Sequence, residues 1–405
     1  MTEPQPQRQR QRADRPTRKE LGAWYTPPAL VEAVVREAIF DGAQSVLDPA
    51  CGDGRFLRAT GLPQQTGVDI DPTVAFVHDD FIHDDFIHDD ALTRGWGDQQ
   101  FDVVVGNPPY LNQLSRLTSR GGSSKFGGGP YADAAAEFLV LAIRLTRPGG
   151  RVGLVLPQSL LATRDAAAIR SAVDGAAALR WMWWSHTQMF DASVRVWAGV
   201  WEVGGASGEV RRAFGPDFTE LPPMPMPRQW SGLLTGSSVA VYDGPTLGTI
   251  ATFTVDFRDQ YYGLVGAVGD DEDGPPLITS GLIEPGQCLW GERPVRFAKR
   301  QYAAPRVAVE RLSPALQKWA TARLVPKILI ANQTKVIEAV HDETGEWLPS
   351  VPVITCVTEQ PERVLAVLAS SAANEWVQQH AAGSGLSATS VRLNPRLLAS
   401  IPLRQ

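Results

Sequence analysis

The sequence has no apolar run of the ~18–20 residues that a membrane-spanning helix needs. Its first twenty residues, MTEPQPQRQRQRADRPTRKE, lack the apolar core of a secretory signal. Cysteine is scarce. Cys51, Cys288 and Cys356 are odd in number and widely spaced, so no disulfide framework is expected and a reducing, cytoplasmic setting is. A strong charge of either sign is also missing, with 38 Lys and Arg against 44 Asp and Glu, a net charge of -6. That balance argues against a nucleic-acid partner only if charge is spread evenly, because a sum averages over surfaces of opposite sign. No metal-ligand cluster stands out, and there is no pair of acids followed by a lysine at nuclease spacing.

What is present is ordinary globular composition, 43% hydrophobic and 20% charged over 405 residues, enough chain for two to four domains. Residues 1–20 are rich in Gln, Arg and Pro and predict a disordered tail. From residue 21 to about 205 apolar strands alternate with helical periods, which predicts a mostly parallel, doubly wound α/β sheet. SVLD (45–48), TGVDID (66–71), FDVVVGN (101–107) and GRVGLVLP (150–157) read as strands. PPALVEAVVREAIF and EFLVLAIRLTR read as helices, the first with Thr26 at its N-cap. Residues 206–230 are Gly- and Pro-rich and predict a linker, and 231–405 a separate α+β domain. The pentapeptide HDDFI-HDDFI-HDDAL (78–92) is written three times; a period of five fits neither helix nor strand, so it reads as a duplicated loop whose histidines share no face.

Four elements carry chemistry. Asp48 ends the first strand and is followed by Gly52 and Gly54, where ligands of parallel sheets bind. The spacing does not meet the G-x-G-x-x-G phosphate fingerprint. Asp69 ends the next strand, about twenty residues after the first, where an acid can accept from both ribose hydroxyls of an adenosyl group. Asp90-Ala91-Leu92 precedes the third strand by a short step. Finally FDVVVGN runs straight into Asn107-Pro108-Pro109-Tyr110. The prolines stiffen that loop. An amide oxygen, a proline carbonyl and an aromatic ring on it suit a planar ring with an exocyclic amine: Asn107 and Pro108 accept its two N–H protons and Tyr110 stacks on its face.

In this order WYTPP (24–28), DPACGDGRFL (48–57), GVDIDP (67–72), DAL (90–92) and NPPY (107–110) resemble the motifs of gamma-class N6-adenine DNA methyltransferases of restriction–modification and phage-defence systems. The resemblance covers about residues 21–203 and implies a Rossmann-like catalytic domain, S-adenosylmethionine as cofactor, and a C-terminal target-recognition domain. It assigns the cofactor's methionine end to Tyr25 and Thr26, and its amino-acid portion to Asp48, Ala50 and Gly52. It gives the ribose to Asp69, the adenine face to Ile70 and the adenine amine to Asp90, with Asp80 and Asp85 of the repeat as rivals. Asn107, Pro108 and Tyr110 are then catalytic, and Phe190 helps Tyr110 sandwich a flipped target base. Cys51 is a small packing residue that the chemistry does not need.

The implied partners are double-stranded DNA and a separate restriction or defence subunit that would carry any cleavage. Residues 293–335 hold ten Lys and Arg with one acid, Glu310, and the interleaved aromatics Trp290, Tyr302 and Trp319 border or lie within that stretch. This stretch is the expected DNA surface, led by Arg293, Arg296, Lys299, Arg300, Arg306 and Arg311. The acidic run 270–273 is expected to face away from it. Alternative readings are a methyltransferase acting on protein glutamine or ribosomal RNA guanine, or a DNA-binding subunit that has lost turnover.

Overall fold

A computed structural model describes residues 26–71, 86–110, 126–129, 133–186, 195–236, 242–256, 258–385 and 390–403. The chain divides into two compact units, Met1–Gly236 and Ser237–Gln405.

The first unit is built on a nine-stranded sheet. Its strands are β1 (Ser45–Asp48), β2 (Gln64–Asp69), β3 (Phe86–His88), β4 (Phe101–Gly106), β5 (Thr146–Pro157), β6 (Ala177–Trp184), β7 (Val196–Val203), β8 (Glu209–Phe214) and β9 (Thr219–Pro225). They lie in the order β3-β2-β1-β4-β5-β7-β6-β8-β9. The run β3-β2-β1-β4-β5 is parallel, and β7 is reversed between β5 and β6. Strand alternation sends neighbouring side chains to opposite faces. Val46, Val103, Val105, Val155, Trp181 and Trp183 enter one buried cluster, and Leu47, Val104, Leu154, Leu156, Met182 and Trp184 enter the other. Both faces are therefore buried, which requires helices on both sides. Helix α1 (Pro28–Ala38) joins the first cluster; α3 (Ala134–Leu145) and α4 (Ala167–Ala176) join the second. The short α2 (Arg55–Thr60) follows β1.

Several expectations change. The N-cap of α1 is Pro27, not Thr26, because the helix begins at Pro28 and no side chain caps it. Helix α3 runs from Ala134 to Leu145 where the reading of EFLVLAIRLTR ran to Arg147; Thr146 and Arg147 already belong to β5. Part of the triplicated segment is not loop: Phe86–His88 is the edge strand β3, pairing with Gly67–Asp69. The expected linker 206–230 contains β8 and β9 instead. Pro222, Pro223 and Pro225 lie on β9, the outermost strand, where a missing N–H leaves no central ladder unpaired. Arg212 fastens this edge by donating from Nε and Nη2 to the Pro222 carbonyl at 3.1 and 2.8 Å, and from Nη1 to that of Leu233 at 3.2 Å.

The second unit is α+β, as expected. Strands Ala251–Val255, Ile354–Thr358, Lys327–Ile330 and Ala339–Asp342 form an antiparallel sheet in that order. Helices Pro361–Ala369 and Ser371–Ala381 contribute to its core through Val364, Leu368, Ala373 and Val377. Short ribbons and the helices Arg258–Leu264, Pro314–Arg323 and Pro395–Ala399 are also part of the described unit. Among the described residues no helix is long and apolar enough to cross a membrane.

One carboxylate ties three strands of the large sheet at the end where they begin. Asp102 Oδ2 accepts from the backbone N–H groups of Gln44 and Ser45 at 2.8 and 2.9 Å and from the Ser45 hydroxyl at 3.0 Å; Oδ1 accepts from Arg147 Nε at 2.5 Å. Burial opposes its charge, but the Gln44 N–H, the Arg147 guanidinium and the two Ser45 donors outweigh it and hold the carboxyl at about 2. A carboxyl lowered on folding stabilises above its ordinary value and loses that contribution as pH falls from about 4 to about 2. Asp102→Asn is expected to destabilise the chain by about 1–2 kcal/mol at neutral pH and to flatten its loss of stability between pH 4 and 2. Urea melts at both ends of that range measure this; parallel curves for the two proteins would refute it.

Candidate active site

Strands β3, β2, β1 and β4 are adjacent and parallel, so their carboxyl ends form one edge. Asp48 closes β1, Asp69 closes β2, Asp90 lies two residues past β3, and Asn107 follows β4 directly. Neighbouring strands lie about 4.8 Å apart, so sheet pairing alone brings these four residues into one row.

Asp48 is 1% exposed, and its Oδ1 accepts from the Ala50 N–H at 3.1 Å. A Cβ on Gly106 would lie 2.5 Å from that oxygen, so β4 can pass Asp48 only as glycine. Burial, then the charges of Asp69 and Asp53, push the Asp48 carboxyl well above the usual range against the pull of the Ala50 N–H. Asp69 Oδ2 accepts from the Gly52 N–H at 2.8 Å and Oδ1 from the Asp71 N–H at 2.9 Å. Burial raises it as well, outweighing those donors. The bond from Gly52 locks the loop after β1 onto the end of β2. Gly52 itself has a positive φ of 51°, and a Cβ there would meet nothing within 4 Å.

Beside this row Ile70 is 59% exposed, a large apolar side chain left at the strand end. Its carbonyl lies 3.0 Å from His88 Nε2. Asp90 Oδ1 accepts from the Leu92 N–H at 3.0 Å and closes the turn after β3. The rivals Asp80 and Asp85, with His78 and His83, lie outside the described residues, as do Tyr25 and Phe190.

Thr26 is buried, and its hydroxyl has no hydrogen-bond partner among the described residues. Sequence reasoning missed the residue that holds it. Arg55, the first residue of α2, donates from Nη1 to the Thr26 carbonyl and grips the Asp53 carboxylate through Nε, at 2.9 and 3.0 Å, and through Nη2. The Gly-rich loop and the segment entering α1 are thereby one assembly. Cys51 is buried against Gly67, and its backbone N–H donates to the Val68 carbonyl at 2.9 Å. Burial, then Asp48 and Asp69, push its thiol far up, so it is no nucleophile.

In the Asn107-Pro108-Pro109-Tyr110 loop, Pro108 is buried and Asn107 and Tyr110 are half-buried. The Tyr110 ring packs against both sheet-face clusters, and its hydroxyl donates to Asn107 Oδ1. Burial and the Asp133 carboxylate push the phenol above its ordinary value, so it remains a donor.

An adenosyl sulfonium cofactor fits these groups. Its ribose hydroxyls need acceptors, its ammonium needs carboxylates, its carboxylate needs donors and its adenine an apolar face. The residues that could hold it are Asp69, Asp48, the orphan Thr26 hydroxyl and Ile70.

In the second unit the expected DNA surface separates into two kinds of residue. Arg293 pairs with Glu284 at 2.8 Å and donates to the Gly281 carbonyl at 3.0 Å. Arg306 donates to the Gly274 carbonyl at 2.7 Å and stacks over Trp290 at 4.6 Å. Arg311 pairs with Glu272 at 2.6 Å. Further along, Arg323 pairs with Asp256, and Lys327 is wholly buried with its Nζ 2.5 Å from Asp342. The acidic run does not face away from the basic segment: Asp270 accepts from the N–H groups of Ala303 and Ala304 at 3.0 and 2.8 Å, beside the Glu272–Arg311 pair. Tyr302 and Trp319 pack on a core cluster, and Trp290 packs against another. Only Arg296, Lys299 and Arg300 of the six are exposed and outside any ion pair among the described residues.

The Eco57I restriction-modification methylase family matches residues 67–176. The Type II methyltransferase M.TthHB8I of Thermus thermophilus is 30% identical over 171 residues, 38% of this chain and 38% of that protein. M.HincII of Haemophilus influenzae is 24% identical over 159 residues, 37% and 30% of the two chains. The chain spans about a third of the length of the curated relatives it matches. Among solved structures, the Type IIL restriction-modification enzyme MmeI in complex with DNA aligns over 95% of this chain and 68% of its own, with a TM-score of 0.60 at 12% identity. The DrdV–DNA complex aligns over 89% and 55%, with a TM-score of 0.56 at 12% identity. The chain carries the Rossmann-like methyltransferase fold.

Proposed function

We propose that the chain is a site-specific DNA methyltransferase that moves a methyl group from S-adenosylmethionine to the exocyclic N6 amine of an adenine flipped out of duplex DNA. The observation that carries this reading is the row Asp90, Asp69, Asp48 and Asn107 at one sheet edge, with the Tyr110 hydroxyl on Asn107. The likeness to Type II methyltransferases supports methyl transfer to DNA. Adenine is favoured by the Asn-Pro-Pro-Tyr chemistry, which matches an amine on a planar ring.

S-adenosylmethionine supplies an already activated sulfonium methyl. Asp69 holds the ribose hydroxyls, Ile70 covers one face of the cofactor's adenine and Asp90 takes its amine. Asp48 and Thr26 hold the amino-acid end, with Tyr25, Ala50 and Gly52 lining it. Two carboxylates raised chiefly by burial at one sheet edge favour a cationic guest, whose charge stabilises their ionised forms. The target amine is a poor nucleophile because its lone pair delocalises into the ring. Asn107 Oδ1 and the Pro108 carbonyl accept its protons, localise the lone pair and stabilise the charge that develops on nitrogen. To reach Oδ1 the amine takes the place of the Tyr110 hydroxyl, whose ring then stacks on the base with Phe190. Stacking at ~1–3 kcal/mol per stacked base offsets the few kcal/mol that flipping costs.

The test is transfer of a labelled methyl group to DNA, RNA and a glutamine-bearing release factor in parallel. Label in N6-methyladenine of DNA is expected; label in RNA, in protein or in cytosine would overturn the reading. Asn107→Ala and Tyr110→Ala should each lower transfer at least ~100-fold while cofactor affinity by calorimetry stays near that of the parent. Near-parental turnover in either would count against the assigned roles. Asp69→Ala should weaken cofactor binding about 10- to 100-fold, the value of hydrogen bonds to a charged acceptor. Because Asp48 and Asp69 titrate above the ordinary carboxylate range, cofactor affinity should begin to fall at a higher pH than an unperturbed acid would give. A calorimetric pH series in which affinity falls only where an ordinary carboxylate titrates would contradict that.

A further inference from the structure

Three free cations in the second unit sit on one small element. Strands Val295–Phe297 and Arg300–Tyr302 pair antiparallel with registers Val295–Tyr302, Arg296–Gln301 and Phe297–Arg300. Only Ala298 and Lys299 connect them, with φ of 46° and 70°. Positive φ at both central residues is the type I′ hairpin turn, normally built from Asn and Gly. Among the described non-glycine residues only Phe218 also has a positive φ, so two of three such residues are consecutive at this tip. A lysine held there is strained where glycine would be relaxed, and such strain persists only when surrounding contacts enforce it.

The contacts that enforce it are visible. Val295 and Phe297 are buried, and the Phe297 ring lies 4.9 Å from that of Tyr261. The Tyr261 hydroxyl accepts from the Ala298 N–H at 3.1 Å, latching the turn itself. Asp270 secures the chain just after the hairpin through Ala303 and Ala304. With one side anchored, the other presents Arg296 and its register partner Gln301, both exposed, and the tip presents Lys299 and Arg300.

A two-stranded ribbon is one of the shapes the ~12 Å major groove admits. Arginine matches the O6 and N7 acceptors of guanine, and glutamine matches the N6 and N7 of adenine. Lysine at the tip is a point charge suited to phosphate. We propose that the 295–302 hairpin enters the major groove of duplex DNA, with Arg296 and Gln301 against base edges and Lys299 and Arg300 on the phosphate backbone. This rests on the reading of the chain as a DNA-modifying protein, and it reduces the basic stretch from six candidate contacts to one rigid element.

Lys299→Gly separates binding from folding, because it removes the charge while relaxing the turn. The full chain is tested by thermal melting, by a salt titration on a fixed duplex, and by selection from a randomised duplex library. Expected for Lys299→Gly are a higher Tm, affinity lower by roughly fivefold near 0.15 M salt, and a salt slope shallower by about 0.9, the loss of one phosphate contact. The Arg296→Ala, Gln301→Ala pair should select a relaxed sequence at the contacted positions, and Arg363→Ala, exposed on helix Pro361–Ala369 outside the basic stretch, should change neither readout. Parental affinity and slope for Lys299→Gly, or unchanged sequence preference for the Arg296, Gln301 pair, would overturn the hairpin's role while leaving the methyltransferase reading standing. A parent chain that binds no duplex, or prefers duplex RNA, would overturn both.

Discussion

The pairing of β1 with β2 on one side and β4 on the other is the constraint on which the candidate site depends. Parallel strands start together and end together, so every loop at their carboxyl ends opens on the same side. The chain reverses its direction of sheet growth between β1 and β4, and Asp48 and Asn107 stand on either side of that change. Asp102 fixes where the strands begin. The Gly52–Asp69 bond and the close pass of Gly106 over Asp48 fix where they end. Burial raises Asp48 and Asp69 at that edge, which is an energetic load in the bare protein.

The large sheet was legible because fully buried parallel strands are written as short apolar runs between turn signals. SVLD, FDVVVGN and GRVGLVLP carry that signature, and the structure puts strands there. The edge strands were not legible. β9 is written with three prolines, which in sequence mean a linker and at a sheet margin cost little. β3 is written inside a repeat whose period of five matches no element, and it forms because β2 offers it an open ladder. Helix α3 stops where Thr146 pairs with Phe101 of β4, so backbone pairing and not local propensity decides its end.

For the candidate site, residue type and order carried far, since strand ends are where the acids and the amide had to lie. What sequence could not supply was the set of internal partners. Nothing in the spelling of GDGRF says that Arg55 reaches back to Thr26. Nothing in a run of basic residues says which guanidinium groups are already taken by carbonyls and carboxylates. Arg306 and Lys327 have the same charge as Lys299, yet one is stacked on Trp290, one is buried on Asp342 and one stands at an exposed tip. Long-range pairing makes that distinction, and spacing along the chain does not encode it.

The net charge of -6 therefore says little about partners. Acids gather at the carboxyl edge of the large sheet and within internal ion pairs, while the cations left outside ion pairs in the basic stretch include the three on one hairpin. The central claim is methylation of adenine in DNA at a defined sequence. Modification-sensitive sequencing of genomic DNA from cells expressing the chain, beside cells expressing Asn107→Ala, tests it most directly. N6-methyladenine at one recurring sequence in the first and not in the second is the predicted result. Identical genomes, or a methyl mark on cytosine, would contradict it.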